Sequence, residues 1–178
     1  MYDIPNEKKN IKNIALSELL IKAVKKRMNN ADRPIGCLLS GGLDSSLVCG
    51  IAAKLYGNDL PVFTIGFPGS VDIKAAKTVA EFLGLTNHHV IEMTPTDALS
   101  SIEDVIYTIE SYDVTTVRAS IPQYLLARYI SSHTNVKVIL TGEGADELFG
   151  GYRYFSGCID PTDFLNETEK LLREIYMF

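Results

Sequence analysis

The chain has 178 residues, 46 % of them hydrophobic and 22 % charged, with a formal net charge of −5. That make-up suits one soluble globular domain with a substantial single core, and we expect one domain over residues 1–178. No run approaches the ~20 uninterrupted apolar residues that cross a bilayer, the polar stretch 1–13 is no secretory signal, and the acidic balance argues against broad nucleic-acid binding.

In chain order, Ile14, Leu19, Leu20, Ala23 and Val24 predict an amphipathic helix that stops near Asn29, Asn30 and Pro34. Its basic residues, Lys22, Lys25, Lys26 and Arg27, with Arg33 at its exit, read as a solvated face, the alternative being a partner surface. Ile35 to Leu39 is a short apolar run ending in glycines, the profile of a strand buried on both faces. A helix from about Asp44 to Tyr56, closed by Gly57, should follow. Pro61 to Ile65 predicts a second strand, and Ala75, Ala76, Val79, Ala80 and Leu83 a helix stopped by Gly84. His88 to Met93 predicts a third strand. Ile102, Val105, Ile106 and Ile109 mark one helix starting near Thr94–Asp97, and Ile121, Tyr124, Leu125 and Tyr129 another. Val136 to Leu140 predicts a fourth strand, and Leu165, Leu172 and Ile175 a last, poorly anchored helix.

Strands separated by helices argue for an α/β fold, a parallel sheet with helices on both faces, because parallel strands need long crossovers. Ligands then bind at the carboxyl ends of the strands, near a switch in strand order. Three cysteines, Cys37, Cys49 and Cys158, form no C-x-x-C pair and no zinc spacing, and Cys37 and Cys49 read as small core residues. An odd count without a framework fits a reducing compartment, so we expect a cytoplasmic protein. His88 and His89, adjacent in a strand, should face opposite sides and share no metal. His133 reads as a helix-end cap.

Two loops carry the chemistry. Ser40-Gly41-Gly42-Leu43-Asp44-Ser45-Ser46 joins the first strand to a helix. Gly41 and Gly42 allow a tight turn that brings N–H groups against a ligand. Ser45 and Ser46 fall in a first helical turn, where an anion is favoured. Asp44 would repel phosphate unless a Mg²⁺ is shared between them. The plainer alternative is a glycine turn with Asp44 as a helix N-cap. Neither G-x-x-x-x-G-K-[ST] nor G-x-G-x-x-G occurs. After the fourth strand, Thr141-Gly142-Glu143-Gly144-Ala145-Asp146-Glu147 sets three carboxylates within five residues. Such mutual repulsion suits a metal or a cationic substrate, the alternative being an acidic solvated turn. Between the loops, Arg118 with Thr115 and Thr116 suits recognition of a small carboxylate, against a reading as helix capping plus a surface arginine.

The first loop resembles the pyrophosphate loop of the ATP pyrophosphatases (PP-loop enzymes, with an adenine nucleotide alpha hydrolase-like fold), which cleave ATP between its α and β phosphates. The whole set resembles more closely the synthetase domain of the glutamine-hydrolysing asparagine synthetases of the B type. The strings that carry this are Leu38 to Ser46, Gly66-Phe67-Pro68-Gly69-Ser70 with Asp72 and Lys74-Ala75-Ala76, Tyr112 to Ser120, and Gly142 to Tyr152. The last two are shared with the β-lactam synthetases. By that resemblance Leu39, Ile65, Gly66, Thr141 and Gly142 line the adenosine part of an ATP site. Ser40, Gly41, Gly42, Asp44, Ser45 and Ser46 hold pyrophosphate, Asp44 and Asp146 bind Mg²⁺, and Thr115, Thr116 and Arg118 contact aspartate. Glu143 serves formation of the β-aspartyl-AMP intermediate and takes a proton from ammonia.

Two departures stand out. Residue 2 is Tyr, whereas the family carries an N-terminal glutaminase domain whose mature first residue is a nucleophilic Cys. The chain also ends at Phe178, before a helical segment that supplies a catalytic lysine in the family; none of the chain's own lysines takes that role. We therefore expect a trimmed synthetase core, with the glutaminase domain as its partner in a full enzyme. Nothing in the sequence specifies an oligomeric state. The competing readings are another PP-loop enzyme (tRNA-thiolating, or GMP- or NAD-forming) and a non-catalytic nucleotide-binding module. Thiolation wants a reactive cysteine pair and a basic RNA surface, which are not visible. Mere binding does not explain Glu143.

Overall fold

The computed structural model describes residues 16–174. Ile14 and Ile175, expected on the first and last helices, and the polar stretch 1–13 with Tyr2 lie outside them. Four strands, β1 (Ile35–Leu38), β2 (Val62–Gly66), β3 (His88–Glu92) and β4 (Val138–Leu140), form one sheet in the order β3-β2-β1-β4. All three pairings are parallel. The chain lays β2 and β3 outward on one side of β1 and then crosses to place β4 on the other. The switch in direction therefore falls between β1 and β4, the two strands whose carboxyl ends carry the unusual loops.

Helices cover both faces, as expected. Period-two alternation sends Ile35, Cys37 and Val62 to one face, where they pack with Val24 of α1 (Leu16–Asn29), Cys49, Ala52 and Ala53 of α2 (Leu43–Tyr56), and Ala76 and Ala80 of α3 (Val71–Phe82). The opposite face sends Phe63, Ile65, Ile91 and Ile139 against Leu126 and Ile130 of α6 (Val114–His133). Burial of apolar area on both sheet faces, at ~25 cal/mol per Å², is the main driving force of such a layer, most completely at the central strands β1 and β2. Cys37 and Cys49 lie in the first core with no exposure. A thiol–thiol hydrogen bond with Cys49, together with burial, pushes the Cys37 thiol far up, so it stays protonated and inert.

The structure adds to or departs from the expected elements in four places. The helix expected from Thr94 to Ile109 is two, α4 (Pro95–Ser100) and α5 (Ile102–Ile109). Thr94 and Asp97 close a capping box at the start of α4, and buried Ser101, whose hydroxyl donates to Ala98 O, ends one helix and starts the next. The segment from Val114 is helical from its first residue, because Asp113 caps α6 by accepting from Thr116 N–H. Only Val24 is buried on α1, leaving Leu19 and Ala23 exposed. A short helix, α7 (Ala145–Phe149), follows β4; it packs on α8 (Pro161–Glu174), where Phe155 and Phe164 meet with ring centroids 5.0 Å apart. On that last helix Leu165 is exposed, while Thr168 is buried and Leu172 half-buried.

The two adjacent histidines take opposite faces of the sheet, as expected. His88 Nε2 bonds Thr64 on one side of β3, while His89 stacks on Phe63 on the other. His133 closes α6, its Nδ1 at 3.1 Å from Tyr129 O. Among the described residues no helix is long and apolar enough to cross a membrane.

Candidate active site at two adjacent strand ends

The first loop begins where β1 leaves the ladder. Leu39 N–H still donates to Phe63 O at 2.9 Å. Its carbonyl accepts instead from the Thr64 hydroxyl at 2.6 Å, and Thr64 Oγ1 in turn lies 2.8 Å from His88 Nε2. A hydroxyl has one proton, and Thr64 donates it to Leu39 O; His88 is therefore the donor to Thr64 and carries its proton on Nε2. Thr64 is 2 % exposed, one of the few buried polar residues.

Gly41 then adopts φ +81°, a left-handed conformation that favours glycine. The Ser40 and Ser45 hydroxyls sit 2.9 Å apart across the turn, and Ser40 N–H donates to Ser45 Oγ. Gly42 is the N-cap of α2, with no side-chain cap. Asp44 is therefore not the cap; it sits exposed in the first turn, beside N–H groups that no side chain satisfies. The Ser46 hydroxyl in that turn is buried and has no hydrogen-bond partner. That hydroxyl does not line the cavity between the loops, and it is the glycine turn and the uncapped helix N-terminus that fit an oxyanion ligand such as a phosphate chain.

The second loop leans directly on the first. A Cβ on Gly142 would stand 2.8 Å from Asp44 C and Ser45 N, so only glycine allows this approach. The two loops enclose a cavity of about 260 Å³ lined by Leu38, Ser40, Gly42, Asp44, Ser45, the stretch from Thr141 to Glu147, and Tyr152. Its wall holds four carboxylates, Asp44, Glu143, Asp146 and Glu147, and no basic side chain. Glu147 and Tyr152 are the residues that sequence reasoning left without a role. The Tyr152 hydroxyl donates to Glu147 Oε1; this bond, with burial and the charges of Glu147 and Asp146, pushes its pKa up to about 12. Their meeting depends on the turn through α7 and Gly150, which no spacing rule reveals.

Other expected site residues lie apart from this cavity. The Leu39 side chain is 1 % exposed in the core, and Leu38 lines the cavity in its place. Ile65 lines a second cavity of about 210 Å³ at the ends of β2 and β3, with Arg128 and Tyr129 of α6. Gly66 ends β2, where a Cβ would meet Ser70 Oγ at 2.8 Å. Thr115, Thr116 and Arg118 stand exposed on the first turns of α6 and do not line the cavity between the loops. Thr116 donates its N–H and hydroxyl to Asp113 at 2.8 and 2.9 Å, and these bonds hold the Asp113 carboxyl below the usual range.

The family model for asparagine synthase matches residues 15–164. The chain belongs to the asparagine synthase family. A probable glutamine-hydrolyzing asparagine synthetase of Acanthamoeba polyphaga mimivirus is 48 % identical over 165 residues, covering 92 % of this chain and 30 % of that protein. The Zea mays glutamine-hydrolyzing asparagine synthetase is 45 % identical over 172 residues, covering 92 % and 29 %. The chain thus spans about 30 % of the length of these relatives. Among solved structures, it resembles a glutamine-dependent NAD+ synthetase of Acinetobacter baumannii in complex with ADP (TM-score 0.56, 21 % identity, 76 % of this chain and 26 % of that one). It also resembles an NH3-dependent NAD synthetase of Campylobacter jejuni (TM-score 0.52, 18 % identity, 87 % and 71 %). Those likenesses show a shared fold.

Proposed function

We propose that this chain carries the adenylating centre of an asparagine synthetase, and that its substrates are ATP, aspartate and ammonia. The observation that carries the reading is the direct contact of Gly142 with the Asp44–Ser45 backbone, which joins a phosphate-type turn and a carboxylate loop into one cavity.

In this reading the uncapped N–H groups of the first turn of α2, residues 43–45, with the Ser40 and Ser45 hydroxyls beside them, hold the pyrophosphate part of ATP. Leu38, Thr141 and Gly142, with Ile65 and Gly66 at the end of the neighbouring strand, border the adenosine. Asp44 and Asp146 would hold a Mg²⁺. Among the described residues no three acidic, His or Cys groups gather to hold a metal by themselves, and a hard cation here would need further oxygen ligands. When bound, that ion offsets the charge that builds on the phosphates. Thr115, Thr116 and Arg118 receive the aspartate, with the exposed guanidinium forking onto a carboxylate.

The aspartate side-chain carboxylate attacks the α-phosphorus; a C–O–P bond forms and pyrophosphate leaves. The loop N–H groups stabilise the charge that develops there. Ammonia then attacks the carbonyl of the mixed anhydride, AMP departs, and the Glu143 carboxylate accepts the proton lost from nitrogen. The ammonia would come from glutamine through a glutaminase domain, as the names of the relatives suggest. The test is exchange of labelled pyrophosphate into ATP with Mg²⁺. Exchange that requires aspartate supports the reading; exchange driven by another amino acid and not by aspartate overturns the substrate.

A further inference from the structure

The string Gly66 to Ser70 with Lys74-Ala75-Ala76 has no part in the reaction just described beyond Gly66, yet its helix touches the phosphate turn. A Cβ placed on Gly41 would lie 2.6 Å from Ala75 C, Ala75 Cβ and Ala76 N. The Gly41 backbone therefore rests flush on α3 at its second turn. That helix is itself fixed: Ser70 caps it by accepting from Ile73 N–H, Gly66 packs on Ser70 Oγ, and Ile73, Ala76 and Ala80 are buried. Residues 73, 76 and 80 form the core-facing stripe. Ala75 lies off that stripe and is only half-buried, so core packing does not explain its small size. The turn resting on it does.

The geometry points to Ala75 as a positioning residue for the phosphate turn: its methyl group sets how far Gly41 can settle, and so where the N–H groups of residues 41–43 point. A branched side chain there meets the Gly41 backbone, and the turn must lift away from α3. The inference deepens the proposed function and rests on its reading of the turn as the pyrophosphate site.

Three variants of the full chain test it, Ala75→Val, Ala75→Gly and, as a β-branched control on the exposed side of α3, Glu81→Val. Binding of Mg·ATP and of AMP is measured by calorimetry, with thermal melts in parallel. The expected result for Ala75→Val is a loss of at least tenfold for Mg·ATP, under threefold for AMP, and a Tm close to that of Glu81→Val. Ala75→Gly keeps most of the affinity. Unchanged Mg·ATP affinity in Ala75→Val overturns the inference alone. Equal losses for both ligands, accompanied by a lowered Tm, also overturn it, since that pattern is general destabilisation. If the unsubstituted chain binds neither Mg·ATP nor pyrophosphate, the nucleotide reading falls and this inference falls with it.

Discussion

Replacing Thr64 by Val removes one hydroxyl and almost no volume, which makes it a direct probe of the bond chain that fixes the start of the glycine turn after β1. Two hydrogen bonds are lost, to Leu39 O at 2.6 Å and from His88 Nε2 at 2.8 Å. At a net ~1 kcal/mol each, they contribute about 2 kcal/mol. The Leu39 carbonyl sits in the interior and cannot readily recruit water, so part of its desolvation cost adds to this, and about 2–3 kcal/mol is expected. Thr64→Ser instead keeps the hydroxyl and deletes one buried methyl, a loss of about 1 kcal/mol. Urea unfolding should show both variants with an unchanged slope and a lower midpoint, Val lower than Ser. In a domain of this size that corresponds to a Tm drop of roughly 5–10 °C for Val. If Thr64 served only to fill space, the order would reverse, with Val near wild type and Ser the weaker. That reversal would refute the hydrogen-bond account.

The same chain of bonds predicts a pH dependence. Burial, with the charges of Lys77 on α3 and of neighbouring His89, lowers His88 below its ordinary value of 6.5. The folded state therefore resists a proton that the unfolded state takes up. Stability is fully present above pH ~6.5 and is lost as pH falls through the lower, folded value. Urea midpoints measured from pH 7.5 to 5 should decline, and the decline should be shallower in His88→Gln; identical slopes would remove His88 as the cause. Asp44→Ala should weaken Mg·ATP far more than metal-free AMP in calorimetry, and equal losses would rule out a metal role for this exposed carboxylate.

Much of this molecule was legible along the chain because it is encoded locally. Short apolar runs marked the four strands, Gly57 and Gly84 marked helix stops, and adjacent positions put His88 and His89 on opposite faces. Ser40 to Ser46 and Thr141 to Glu147 announced themselves by glycines and carboxylates that a buried strand end does not otherwise need. The division at Ser101 was not legible, because the apolar period of α5 runs smoothly back toward the α4 cap. Nor was the choice of Leu38 over Leu39 for the cavity wall, since one residue of register decides which face a strand side chain takes.

The sequence by itself determined the class of fold, the two loops and the residue types able to do the chemistry, since helix and strand periods and turn residues act over a few positions. The strand order β3-β2-β1-β4 was decided only in three dimensions. Crossover helices allow several orders with the same local pattern, and packing on both sheet faces selects among them. That order brings Gly142 onto Asp44, hangs Leu39 from Thr64 and His88, and rests Gly41 on Ala75. These contacts join residues remote in sequence, and close approach of backbones, which no period encodes, holds the site together.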